Sequence, residues 1–202
     1  NTYALFMLVC LIVVLCRLEY GPPDWLDLVY VVAAVFGIAM SGSRTVFILT
    51  VVALIYLLIA KGPGRKVMFF LFAVAAVVAG GIAIVVGNSG VLDRFADITL
   101  GASTFMGRLL YARDALPLII THPFGLGYYG YYFIQQSIQT GVYSVVNVHN
   151  ELLQLFLDVG VIPAVLMSMA LLRSLLSKDL DAKKRLVLIV LILHSLFDYD
   201  FQ

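Results

Sequence analysis

Charge is what this 202-residue sequence has least of: Asp, Glu, Lys and Arg together make up 12% of it. Soluble domains carry about a quarter charged residues and about half apolar ones. Here the hydrophobic share is 62%. A water-exposed fold of this length could not bury that much apolar surface, whereas a bilayer could. Cysteine is scarce as well. Cys10 and Cys16 both fall in or beside the first apolar run, which leaves no disulfide framework and no thiolate metal site, so both read as small apolar residues. The sequence opens at Asn1 inside an apolar run, without an initiating Met, a basic leader or a small-residue cleavage site. That run is therefore expected to be a span rather than a signal peptide, and the whole chain a single membrane domain cut from a larger polytopic protein. Lysine is missing from most of the chain. Every Lys lies either in Lys61 to Lys66 or between Arg173 and Arg185.

Apolar runs separated by charged or Gly/Pro punctuation predict about six spans. They cover Thr2 to Cys16, Trp25 to Met40, Thr45 to Ala60, Val67 to Val86, Leu152 to Leu176 and Leu186 to Phe201. Lipid cannot satisfy backbone polar groups, so the expected fold class is all-α, a polytopic transmembrane helical bundle. Short basic loops stay in the cytoplasm, which places the Ser41 to Arg44 turn and the long segment Gly87 to His149 outside. Four basic residues fall on that outer side, Arg44, Arg94, Arg108 and Arg113, and all are arginines. A planar guanidinium suits bidentate phosphate binding better than an ammonium does. Within the outer segment, Gly107 to Thr121 predicts an amphipathic surface helix, kinked or shortened by Pro117.

Arg44, in SGSR at the start of the third run, has two readings. It is an interfacial arginine reaching to headgroups, or a phosphate clamp aided by free amides of the Ser-Gly-Ser turn. Arg108 and Arg113 are five residues apart, about 140° around a helix, so they do not share one narrow face. One could enter a site while the other pairs with Asp114 or a headgroup. His149, in VHNELLQLFLDVG, stands where the outer segment re-enters the membrane. Behind it Glu151, Gln154 and Asp158 share a helix face, which in lipid must look into the bundle or a wet cavity. A histidine at the mouth of such a cavity can act as a general base or proton shuttle, or it can simply cap the helix. His194 and Asp198, in HSLFDYD, are one turn apart, so the carboxylate can orient the imidazole. The Asp198-x-Asp200 spacing invites a metal, but nucleotide sugars are on the other side of the membrane, and a polar network in the bundle is the preferred reading. Tyr128, Tyr129, Tyr131 and Tyr132 suit a membrane interface and also the stacking of sugar rings. Gly125, Gly127 and Gly130 permit tight turns, and no strand precedes them to make a dinucleotide fingerprint.

Taken in order, SGSR, the Arg-bearing helix leading into HPFGLG, HNELLQLFLDVGVIP and HSLFDYD resemble the pattern of the O-antigen ligase and polymerase family, from about Ser41 to Asp200. The resemblance implies a membrane transferase of the GT-C type with around a dozen spans. It would move a glycan from undecaprenyl diphosphate to an acceptor hydroxyl at the outer, periplasmic face of the bacterial inner membrane, inverting the anomeric carbon. The acceptor would be lipid A core, a growing glycan or a protein. Membrane lipids are the surroundings, and nucleic acid has no part. No cofactor and no metal are implied. Carried onto this chain, Arg44 and Arg108 would neutralise the diphosphate and His149 would deprotonate or position the acceptor. Arg113, Asn150, Glu151, Tyr128, Tyr129, His194 and Asp198 complete the expected substrate-binding set.

Two other classes compete. A lipid-glycan transporter would place charges near the membrane midplane, where this sequence has few beyond Asp158. A scaffold without chemistry would have no use for the outer His and Arg set.

Overall fold

The computed structural model describes residues 2–18, 21–22, 24–61 and 103–197. The expected span Val67 to Val86 lies outside the described residues, as do Arg94, Asp198 and Asp200. Eight helices are present among the described residues: α1 Thr2–Arg17, α2 Trp25–Ser41, α3 Arg44–Lys61, α4 Ser103–Thr121, α5 Gly130–Ile138, α6 Glu151–Val159, α7 Val161–Leu176 and α8 Ala182–Ser195. The chain divides into two compact units, residues 1–98 with 181–191 and residues 99–180 with 192–202.

The helical class is as the sequence predicts, but the transmembrane bundle is not. Among the described residues no helix is long and apolar enough to cross a membrane. The reason is length and punctuation. At 1.5 Å per residue the 16 residues of α1 reach about 24 Å, short of a hydrocarbon layer of about 30 Å. The 18-residue α3 reaches about 27 Å, again short of that layer. The 19-residue α4 carries Arg108, Arg113 and Asp114. The expected run Leu152 to Leu176 is not one helix: Gly160, at φ +87°, ends α6 and starts α7.

In the first unit α1 packs against α2 and α3, burying Leu8, Leu11 and Ile12 of α1, Val31 and Ala34 of α2 and Val46 and Ala53 of α3. Asp24 starts α2 through a capping box: its carboxylate accepts from the Asp27 N–H at 2.9 Å while Asp27 accepts from the Asp24 N–H at 3.1 Å. Arg17, at the end of α1, donates to both carboxylates, at 3.0 and 2.7 Å. Lys183 donates to the Cys16 carbonyl at 3.2 Å, meeting an orphan acceptor of α1. Gly42 takes the left-handed conformation that closes α2.

In the second unit α4, α5 and α6 surround a small core of Ala115, Leu118, Tyr131, Val148, Leu153 and Leu157. Pro117 sits inside α4 without ending it; the helix continues to Thr121. The chain then crosses itself. Residues 123–127 lie against residues 157–161 through three backbone bonds: Leu126 N–H to the Leu157 carbonyl, Gly127 N–H to the Asp158 carbonyl and Val161 N–H to the Pro123 carbonyl, at 2.6, 3.1 and 2.9 Å. Such an approach tolerates no side chain at its centre. A Cβ on Gly125 would come within 2.5 Å of the Asp158 carbonyl oxygen, and one on Gly160 within 2.5 Å of the Phe124 carbonyl carbon. HPFGLG and DVG, 30 residues apart and outside any common helix, are thus one structural element.

Candidate functional site

Between α5 and α6, residues 139–150 form an irregular stretch that ends on His149 and Asn150. Buried polar side chains from all three helices hold its backbone. Asp114, on α4, accepts from the Thr140 N–H at 2.8 Å, the Thr140 hydroxyl at 2.8 Å and the Tyr143 hydroxyl at 2.9 Å. Burial pushes the Asp114 carboxyl up, but the bonds from Thr140 and Tyr143 and the charge of Arg113 outweigh it and hold the group below the usual carboxylate range. The Tyr143 phenol moves the other way. Burial, the neighbouring Tyr131 hydroxyl and the Asp114 carboxylate raise it far above its ordinary value, so it remains a donor. Gln135, on α5, both donates to the Val145 carbonyl (2.6 Å) and accepts from the Val145 N–H (2.9 Å). Gln154, on α6, accepts from the Val148 N–H at 3.1 Å and donates to Asp158 at 2.8 Å.

His149 itself has φ +57°, one of two non-glycine residues at positive φ among the described residues. That region costs a non-glycine residue about 1–3 kcal/mol and persists only where the surroundings over-determine it. The helix-capping role belongs to its neighbour: Asn150 accepts from the Leu153 N–H at 2.9 Å and caps α6. The same Asn150 side chain donates to the Leu196 carbonyl at 2.9 Å. The half-buried His149 ring lies 6.3 Å from the ring of Tyr111, which in turn is 4.6 Å from that of Tyr143.

The candidates read from sequence are partly gathered here. Arg108 is half-buried on α4, three residues before Tyr111 and so on the same side of the helix. Arg113 is exposed, on another side, which resolves the five-residue separation: Arg108 turns with the His149-facing residues and Arg113 does not. Glu151 opens α6, where the helix dipole favours a carboxylate. His194 is fully buried and, through Leu196, belongs to the segment that Asn150 reaches. Tyr128 and Tyr129 stack edge to face with centroids 4.3 Å apart and are exposed, whereas Tyr131, two residues on, is fully buried in the core. The tyrosine run is therefore two things, a surface pair and a core anchor. Arg44 opens α3 in the first unit. The amides of its turn are not left for an anion: Gly42 N–H goes to the Ala39 carbonyl, and Ser43 N–H to the Ser41 hydroxyl.

Sequence reading passed over Gln135, Tyr111, Tyr143 and Gly160, and took Asp114 only as a partner for one of Arg108 and Arg113. One signal was available: Tyr111, Asp114, Ala115 and Leu118 recur at helical spacing, which marks the covered face of α4. Among the described residues no group of three His, Cys, Asp or Glu side chains could hold a metal ion.

The family model described as O-antigen ligase matches residues 29–168, which takes in SGSR, the Arg108 helix, HPFGLG and HNELL. No curated protein and no solved structure matches the chain. The matched region is more than half of the sequence and contains the crossing, the loop and His149, and on that ground the chain belongs to the O-antigen ligase family.

Proposed function

We propose that this chain carries the acceptor-activating site of a ligase- or polymerase-type glycosyltransferase of the bacterial inner membrane, using a glycan linked to undecaprenyl diphosphate. His149 takes the proton of the acceptor hydroxyl as its oxygen attacks the anomeric carbon. The bond from that carbon to the diphosphate oxygen breaks, and the lipid diphosphate leaves with the electron pair. Arg108 meets the developing negative charge, as fixed cations do at phosphate leaving groups. Tyr128 and Tyr129 offer exposed ring faces to the sugar units, and the site faces the periplasm.

What supports this reading above all is the state of His149: left-handed backbone, capping duty handed to Asn150, ring beside Tyr111 on the helix that bears Arg108. The side-chain cap of α6 comes from Asn150, so the left-handed conformation of His149 is set by more than that cap. The test is glycan transfer in membranes by the full-length protein with His149 or His149→Ala, supplied with an undecaprenyl-diphosphate-linked oligosaccharide and lipid A core, glycan and protein acceptors. Loss of a general base lowers turnover by about 10²- to 10⁴-fold. Transfer by the variant at the wild-type rate would remove His149 from the chemistry. The linkage of the product names the acceptor.

A further inference from the structure

The loop before His149 has almost no apolar anchor of its own beyond Val145 and Val148, yet its backbone is pinned at three successive points by side chains from three different helices. Asp114 fixes Thr140 and Tyr143, Gln135 fixes Val145 on both its N–H and its carbonyl, and Gln154 fixes Val148, the residue before His149. All three side chains are buried. A buried amide or carboxylate with its bonds made is rigid, because every alternative leaves a polar group unsatisfied out of water. The same Asp114 reaches His149 by a second route. It holds the Tyr143 hydroxyl, the Tyr143 ring packs on Tyr111, and Tyr111 flanks the His149 imidazole. The room for Tyr111 is set by Gly107, where a Cβ would sit 3.0 Å from the Tyr111 hydroxyl.

We infer that Asp114, Gln135 and Gln154 are positioning residues for His149: they force its left-handed backbone conformation and, through Tyr143 and Tyr111, fix the plane of its ring. This rests on the reading of His149 as the base that faces the acceptor. A base misplaced by about 1 Å loses turnover far more than affinity, because orientation matters most in the transition state. None of the three needs to touch substrate.

The test uses full-length protein in membranes and reads kcat and KM for donor and acceptor. Its variants are Asp114→Asn, Gln135→Leu and Tyr143→Phe, each alone and combined with His149→Ala. Tyr143→Phe keeps the ring on Tyr111 and loses only the hydroxyl, so it guards against simple misfolding of the others. The expected result is a fall in kcat of roughly 10- to 100-fold for Asp114→Asn and Gln135→Leu, and a smaller one for Tyr143→Phe, with each KM within about twofold of wild type. In the His149→Ala background the same changes cost nothing further, since what they position is gone. Equal losses in both backgrounds, or losses confined to KM, would overturn the inference.

A second readout does not depend on transfer. The imidazole resonance of His149, assigned by its disappearance in His149→Ala, should shift in Asp114→Asn and Tyr143→Phe and stay in place in the exposed control Lys178→Ala. If wild type proves inactive on every acceptor, the proposed function fails while this resonance still decides the positioning. An unmoved resonance in both variants would sink it.

Discussion

Apart from Lys183, which reaches back to the Cys16 carbonyl, polar side chains in the first unit act on near neighbours in the chain. Asp24 and Asp27 cap each other three residues apart, Ser43 reaches Val46, and Arg17 spans at most ten positions to its two carboxylates. In the second unit local caps such as Asn150 on the Leu153 N–H are joined by bonds at a distance. Asp114 bonds residues 26 and 29 positions ahead, and Asn150 one 46 ahead. The first pattern ends helices, and the second shapes a loop that no helix rule would specify. The contrast teaches how the two units are specified: local caps make a frame, and long-range buried polar contacts shape an irregular segment.

The sharpest way to break that comparison is through glycine. Gly160→Ala puts a Cβ against the backbone of the facing strand of chain, at a φ of +87° that only glycine accepts easily. It should cost at least about 3 kcal/mol and abolish transfer, read as loss of the melting transition of purified protein. Gly125→Ala should behave the same way. A melting temperature equal to wild type would mean that the two stretches do not cross as described. Asp114→Ala comes next, leaving the Thr140 amide and the Tyr143 hydroxyl without their acceptor, at about 2–3 kcal/mol.

Its pH dependence has a definite sign. The folded Asp114 carboxyl is held low, so its contribution is present above the ordinary carboxylate value of about 3.9 and fades as pH falls through the lower folded value. The gap in melting temperature between wild type and Asp114→Ala should therefore be constant near neutrality and narrow below about pH 4. A gap that widens on acidification would contradict the hydrogen bonds drawn to Asp114.

Gly42→Ala, in the first unit, tests the milder case. Its φ is +62° but nothing lies within 4 Å of the added Cβ, so only backbone strain of about 1 kcal/mol is expected. The smallest effect should have the opposite sign. His149→Gly relieves the left-handed strain and should leave stability unchanged or raise it by up to about 1 kcal/mol, while removing transfer; His149→Ala removes transfer without the relief. A glycine variant clearly less stable than the alanine one would mean that the conformation at residue 149 is not strained.

The sequence carried much of this in its periodicity and punctuation. Helices in both units, the covered face of α4, the polar face of Gln154 and Asp158 and the placing of His149 at a helix entrance could all be read from spacing. Spans could not, because an apolar run says nothing of where a glycine at positive φ will divide it, as Gly160 divides the run from Leu152 to Leu176. Nor could the role of Asp114. Its partners are more than 20 residues away in an irregular segment, and no periodic signal links Thr140 or Tyr143 to a helix face. Gln135 was invisible for the same reason. Tyr131 was misgrouped with its neighbours because composition cannot tell a surface tyrosine from a core one.

The bonds that join residues 123–127 to 157–161 are made from main chain alone, and the close approach demands glycine only at Gly125 and Gly160. Phe124, within it, and Tyr128, just after it, are 89% and 70% exposed. Their side chains can be exchanged without touching the three bonds that register HPFGLG against α6. The register of the crossing and the identity of the side chains exposed on it are thereby decoupled, so that surface can change in sequence while the fold beneath it stays put.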